Sequence, residues 1–192
     1  MTFVLVAAAA LGNAIPVVAE RIGAVSLVTD TGGIIDGGAA YFVVACALCG
    51  LLAAVVMDVP MSKQEDGFTP AYVAAAVVRR VAPEKVSFSE AIAVHHATGA
   101  LAGVLYALLY LVVSITIPGL LRIGGVDLLP HLAATVGVSA FVYGFFAHVV
   151  LPRAGRRIYE ERSTAVRGQW LRSTFVFAAV VAVATPALTT LL

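Results

Sequence analysis

The sequence predicts an all-α integral membrane protein, a single-domain helical bundle of about five transmembrane helices with short interfacial helices. Apolar residues make up 61% of its 192 residues and charged residues 12%, whereas soluble domains average about 45–50% and about 25%. A chain of this length cannot enclose so much apolar surface in a soluble core. Its apolar runs are about 20 residues long, which is the length that an α-helix needs to cross a bilayer.

The first two apolar runs are separated by a loop. The first covers residues 2–19, and because no positive charge precedes it we interpret it as a retained helix rather than a cleaved signal peptide. Residues 20–37 are punctuated by Gly and Asp, as loops are. The second run covers residues 38–57 and is expected to stop at Asp58, just before Pro60.

The third run begins with a helix-start pattern. Ser87 and Glu90 have the spacing of the N-cap and N3 residues of a capping box. The predicted span then covers residues 88–117 and ends before Pro118. This is long for a single span, so we expect the helix to tilt or to start in the headgroup region.

The fourth and fifth runs complete the predicted bundle. The fourth span covers residues 128–151, between Asp127 as its N-cap and Pro152. The fifth covers residues 171–192 and begins near Trp170, a residue type that favours the membrane interface.

Basic residues are distributed unevenly between the two sides of the predicted bundle. One side carries only Arg21 and Arg122, and the other carries ten Lys and Arg residues. The positive-inside rule places the ten in the cytoplasm, with the N-terminus inside and the C-terminus outside. The ten are Lys63, Arg79, Arg80, Lys85, Arg153, Arg156, Arg157, Arg162, Arg167 and Arg172.

Each of the two basic segments is expected to contain an interfacial element. Thr69 and Pro70 predict the start of a short helix, which should end at Arg79 and Arg80 because cations suit a helix C-terminus. The stretch before the fifth span mixes Arg with Tyr and Trp. We expect that stretch to lie at the interface, with its arginines on anionic headgroups.

Polar residues inside the predicted spans are the candidate functional residues, because such residues are rare in membranes. In the third span, His95 shares a helical face with Gly99 and Gly103, whose spacing lets helices approach closely. In the fourth span, His148 shares a face with Gly144 and Gly137. These two small-residue faces are predicted to meet.

A cluster of Asp58, His95, His96 and His148 is predicted near the cytoplasmic side. The helix dipole opposes a carboxylate at a helix C-terminus, so Asp58 should have a cationic or metal partner. One interpretation is haem b held by His95 or His96 together with His148. Another is a divalent metal ion held by Asp58, His95 and His148. In a third interpretation there is no bound group: the histidines reach water and Asp58 pairs with an arginine.

Other intramembrane polar residues are expected to be structural. His131 is predicted to be an interfacial residue at the outer end of the fourth span. Tyr106 and Tyr110 are predicted to pack in the bundle, with hydrogen-bonded hydroxyl groups.

The function is only broadly indicated. No nucleotide-binding, nucleophile or zincin motif is present, so an enzyme is not favoured. We expect an accessory or scaffold subunit that packs, within the lipid bilayer, on other membrane subunits or on copies of itself. The alternatives are a haem b or metal-binding redox protein and a small proton- or ion-coupled transporter. The net charge of +1 gives no indication of nucleic acid as a partner.

Two stretches of the third and fourth spans carry a family resemblance. The sequences HHATGALAGVLYALLY, residues 95–110, and GVSAFVYGFFAHVVLP, residues 137–152, resemble the YagU-like family of small polytopic inner-membrane proteins. In that family a histidine and small residues recur on hydrophobic helices, whereas the loops and the N-terminal region of this chain differ from it. The family has no established activity, so the resemblance implies only a location in the cytoplasmic membrane of a prokaryote.

Overall fold

The computed structural model of the chain describes residues 37–190. The first predicted span lies outside the described residues. The chain divides into two units, Met1–Phe42 and Val43–Leu192, and the helical bundle belongs to the second. The elements are α1 Gly37–Ser62, which begins in the first unit, α2 Thr69–Arg79, a 3₁₀ turn Pro83–Lys85, α3 Phe88–Thr116, β1 Arg122–Ile123, β2 Val126–Asp127, α4 Leu128–Phe145, a π turn Phe146–Val150, α5 Leu151–Ala154 and α6 Arg157–Thr189.

Four helical segments are long and apolar enough to cross a membrane. They are Ala40–Ser62, Phe88–Thr116, Leu128–Ala154 and Arg157–Thr189. In the most apolar window of each segment only 33–39% is buried, and the outward-facing residues include many Val, Leu and Phe. Hydrocarbon rather than water suits such a surface. The predicted helical membrane bundle is confirmed for the described residues, and the chain is a multi-pass membrane protein.

Helix α1 continues past the point where it was predicted to stop. It includes Asp58 and Pro60 and ends at Ser62. Pro60 has no N–H to donate to the carbonyl four residues earlier, but side chains support the last turn. Ser62 Oγ donates to Val59 O at 2.9 Å, and Gln64 Nε2 donates to Pro60 O at 3.0 Å. Asp58 is therefore held on a helix and not in a loop.

The fourth span also continues beyond its predicted end. Helix α4 is followed by the π turn Phe146–Val150, and Pro152 lies in the first turn of α5. A wider turn leaves backbone carbonyls without their usual donors. Arg167 of α6 supplies one, because its Nε–H donates to Ala147 O at 3.1 Å.

Helix α6 begins at Arg157, well before Trp170. The basic stretch that was expected to form a separate interfacial segment is, from Arg157 onward, the first part of the last span. An ion pair between Arg157 and Glu161, at 2.9 Å, supports its first turn. Arg162 pairs with Asp66 Oδ1 at 3.0 Å and so joins α6 to the loop after α1.

The predicted capping box and the predicted short helix α2 are both confirmed. Ser87 Oγ accepts from Glu90 N at 3.4 Å, and Glu90 Oε2 accepts from Ser87 N at 2.9 Å. Arg80 ends α2 in the left-handed conformation, with φ 55°. Arg79, the last residue of α2, pairs with Glu90 in the first turn of α3.

Helices α1 and α3 are antiparallel and touch through their backbones. A Cβ atom on Gly50 would lie 2.6 Å from Gly103 N, and one on Gly103 would lie 2.8 Å from the carbonyl carbon of Cys46. Gly99 lies directly against Ala54. Only glycine allows so close an approach. The small-residue face of α3 therefore packs on α1, and not on α4 as the sequence predicted.

Hydrogen bonds join α3, α4 and α6 inside the bundle. His131 Nε2–H donates to Ala182 O at 3.0 Å, so His131 Nδ1 is the acceptor for the Tyr106 hydroxyl at 2.6 Å. One turn further along α3, Tyr110 Oη accepts from Asp127 N at 3.0 Å. His131 lies in the first turn of α4 and is 2% exposed, and its place at the membrane interface stays a prediction. Lipid offers no replacement partners for these groups.

The four long helices alternate in direction, which gives the bundle two distinct ends. Asp58, the starts of α3 and α6 and the end of α4 lie at one end, which we call the Asp58 end. The β1–β2 hairpin, in which Arg122 pairs with Asp127, marks the other, which we call the hairpin end. Among the described Lys and Arg residues, only Arg122 lies at the hairpin end.

Replacing Gly103 by alanine should destabilise the bundle. The new methyl group would meet backbone atoms of Cys46 and Ala47, which cannot move unless the two helices separate. Overpacking of this kind costs about 1–3 kcal/mol. Thermal unfolding of Gly103→Ala in mild detergent, followed by circular dichroism, should show a lower Tm than the wild type. Gly144→Ala is the matched control, because nothing lies within 4 Å of its new Cβ; an equal loss in both variants would contradict the packing.

Replacing Tyr106 by phenylalanine should also destabilise the protein. The change removes the hydroxyl and leaves His131 Nδ1 buried without its donor, at a cost of about 1–3 kcal/mol. The same unfolding assay measures the loss. Tyr143→Phe provides the comparison, because the Tyr143 ring contacts His148 and its side chain is only half-buried. If the two variants unfold at the same temperature, the buried hydrogen bond does not stabilise the bundle.

Candidate metal centre

Three side chains with metal-ligating atoms meet at the Asp58 end. Helix α1 supplies Asp58, and α3 supplies His95 and His96. His96 Nε2 lies 2.8 Å from Asp58 Oδ2, and His95 Nε2 lies 3.5 Å from Asp58 Oδ1. One ligand atom from each residue lies within 4.8 Å of the other two. We call this group the Asp58 cluster; within residues 37–190 no other set of three such residues is as close.

The close contact between α1 and α3 positions the cluster. Residues at four-residue steps share one helical face. On each helix, the face that carries the glycines also carries a member of the cluster. These residues are Gly50, Ala54 and Asp58 on α1, and Gly103, Gly99 and His95 on α3.

Hydrogen bonds define the roles of the ring nitrogens. His95 is 5% exposed, and its Nε2–H donates to Ala54 O at 3.2 Å, because a carbonyl can only accept. His96 Nε2–H donates to Asp58 Oδ2. Asp58 Oδ1 is buried and has no hydrogen-bond partner among the described residues. Buried carboxylate oxygens normally accept hydrogen bonds, so Asp58 Oδ1 is available to a hydrogen-bond donor or a cation.

The ligand set suits a divalent transition-metal ion. Two imidazoles and a carboxylate are common ligands of zinc and of iron. Tetrahedral coordination with bonds of about 2.0–2.1 Å places ligand atoms about 3.3 Å apart. The three ligand atoms lie within 4.8 Å of one another, so small side-chain movements would bring them to this spacing. Ligation by His95 Nε2 would replace its hydrogen bond to Ala54 O, and the ring proton would move to Nδ1.

The remaining predicted site residues lie outside the Asp58 cluster. His148 is exposed on the π turn, with its ring edge-on to Tyr143 at a centroid distance of 6.2 Å. The structure therefore does not bring His148 together with His95 and His96. A Cβ on Gly144 would meet nothing within 4 Å, and one on Gly137 would meet only Leu109, at 3.7 Å. These two glycines make no close helix contact within the described part of the chain.

An apolar cavity of about 340 Å³ adjoins the cluster. His95 belongs both to the cluster and to the wall of the cavity. Five helices and the π turn contribute to the wall. They contribute Ala54 and Met57 of α1, Pro70, Ala71 and Ala74 of α2, Thr98, Gly99, Leu101, Ala102 and Leu105 of α3, Phe141, Val142 and Phe145 of α4, Phe146 and Val150 of the π turn, and Trp170 and Phe177 of α6.

Two features of the Asp58 end were not predicted from the sequence. Asp66, which is 5% exposed, pairs with Arg162, and its backbone N donates to Gln169 Oε1 at 2.8 Å. No local pattern links a loop acid to an arginine in a distant helix. Trp170 was interpreted only as an interface marker, although it is 8% exposed and lines the cavity.

No protein-family model, curated protein or solved structure matches this chain. The resemblance to the YagU-like family therefore stays a prediction. The functional assignment rests on the geometry of the Asp58 end.

Proposed function

We propose that this multi-pass membrane protein binds a divalent transition-metal ion through Asp58, His95 and His96. The observation that carries the proposal is the set of three ligand atoms within 4.8 Å of one another. It includes a buried carboxylate oxygen, Asp58 Oδ1, that has no hydrogen-bond partner among the described residues. A cation would balance the negative charge of this half-buried carboxylate, which among the described residues has only histidines as ion-pair partners.

The surroundings of Asp58 favour a metal ion over an arginine side chain as its partner. Asp58 lies near the C-terminus of α1, where the backbone carbonyls add negative potential. Among the described residues, its ion pairs are with histidines only. Asp58 and His96 are half-buried, which leaves a coordination position open to water or to an exchanging ligand.

We place the Asp58 end on the cytoplasmic side of the membrane. Ten of the eleven described Lys and Arg residues lie away from the hairpin end, and the positive-inside rule assigns such an end to the cytoplasm. The bound ion would then exchange with the cytoplasm at the inner membrane surface.

The metal site is better supported than the haem and scaffold hypotheses. A haem with two axial histidines needs His148 beside His95 or His96, and His148 lies on the π turn instead. The scaffold hypothesis rested on Gly- and Ala-rich helix faces, and the face that carries Gly99 and Gly103 packs on α1 of the same chain.

Cobalt titration tests the metal site directly. The protein is purified in mild detergent, treated with chelator and titrated with Co²⁺, whose visible absorption reports its coordination. We expect one ion per chain. Asp58→Asn and His96→Ala should each weaken binding by at least about tenfold, because even outer-shell changes lower metal affinity by about 10–100-fold.

His148→Ala is the matched control for the titration. It removes an exposed histidine that is outside the Asp58 cluster, so its affinity should equal that of the wild type. Wild-type protein that binds no Co²⁺, or Asp58→Asn protein that binds as tightly as the wild type, would exclude this site.

A further inference from the structure

The apolar cavity faces the lipid between α3 and α4. Leu101, Phe141 and Phe145 stand in its wall and are 65%, 53% and 48% exposed. All three belong to membrane-spanning segments, so their exposed surfaces contact hydrocarbon. Water is disfavoured in an apolar cavity, and an empty cavity forfeits dispersion contacts with its walls. The cavity is therefore best filled by an apolar molecule that enters from the bilayer.

One polar group in the wall lacks a partner. Trp170 is 8% exposed, and its Nε1–H has no acceptor among the described residues. Phe146 packs against the indole at a centroid distance of 5.3 Å. A buried indole N–H usually finds an acceptor. An occupant with a carbonyl group would supply one.

Cations lie at the same end of the bundle as the cavity. Pro70 and Ala71 of α2 line the cavity, and the exposed Arg80 caps the C-terminus of the same helix. Arg153 is exposed just after the π turn, whose residues also line the cavity. Arginine pairs with phosphate oxygens, and clusters of basic residues at a membrane surface attract anionic headgroups.

We infer that the cavity binds one acyl chain of an anionic phospholipid. The chain lies against the apolar wall, the ester carbonyl accepts a hydrogen bond from Trp170 Nε1–H, and Arg80 and Arg153 hold the phosphate. A volume of about 340 Å³ is at the lower limit of ligand cavities, roughly 300–1,000 Å³, so it suits one chain rather than two. Lipid binding in the cavity requires no metal ion at the Asp58 cluster.

Trp170 provides the test, because it is the single tryptophan of the chain. Purified protein is reconstituted in nanodiscs that contain increasing fractions of phosphatidylglycerol brominated on its acyl chains, and bromine quenches nearby indole fluorescence. We expect quenching that saturates at a low fraction of brominated lipid. Ala102→Phe and Ala74→Phe, which fill the cavity from α3 and from α2, should each reduce the quenching at least about threefold.

Leu108→Phe is the control, because Leu108 is 53% exposed on α3 and does not line the cavity. It should be quenched like the wild type. Quenching that rises without saturation, or that is unchanged in both filled variants, would overturn the inference. Two filled variants are used so that one that fails to fold does not decide the result.

Native mass spectrometry identifies the occupant. Wild-type protein extracted in mild detergent should retain one phospholipid per chain, and both filled variants should lose it. Recovery of a free fatty acid or a prenyl quinone in place of a phospholipid would overturn the assignment of the ligand.

Discussion

Helices α1 and α3 touch through the backbones of Gly50, Gly99 and Gly103, and the Asp58 cluster depends on that contact. Hydrocarbon gives apolar helices no hydrophobic reason to associate, so close packing of small residues has to supply the attraction. Once the two backbones are this near, side chains one turn further along meet as well. Asp58 then contacts both His95 and His96. A wider separation of the helices would put these histidines out of its reach.

The opposite half of the bundle is joined by polar groups. Tyr106 and His131 bond to each other across α3 and α4, and His131 also bonds to Ala182 of α6. In water such bonds compete with solvent, but within lipid a broken bond leaves two unsatisfied groups. Close contact between glycines thus brings α1 to α3, whereas buried hydrogen bonds of His131 join α4 to α3 and to α6.

The sequence predicted the features that depend on residues close together along the chain. Run length and hydropathy indicated the four described spans, and Ser87 with Glu90 marked the start of α3. Histidine and aspartate inside apolar runs identified Asp58, His95 and His96, which do lie together. The predicted helix ends at Asp58 and before Pro152 were wrong, because α1 continues through Pro60 and a π turn carries the fourth span on through Pro152. The sequence pattern of α3 shows that Gly99 and Gly103 share a face, but it does not show which helix packs on that face. That depends on how the helices are arranged in space.

The hydrogen bonds between α3 and α4 are concentrated near the hairpin, and this has a mechanical consequence. Tyr110 and Tyr106 tie α3 to α4 there, whereas toward the Asp58 end the facing side chains, such as Leu105 and Phe145, are apolar. Apolar contacts exchange for lipid contacts at little cost, but intramembrane hydrogen bonds do not. Separating α3 from α4 would therefore cost less toward the Asp58 end, where the cavity lies, than beside the hairpin.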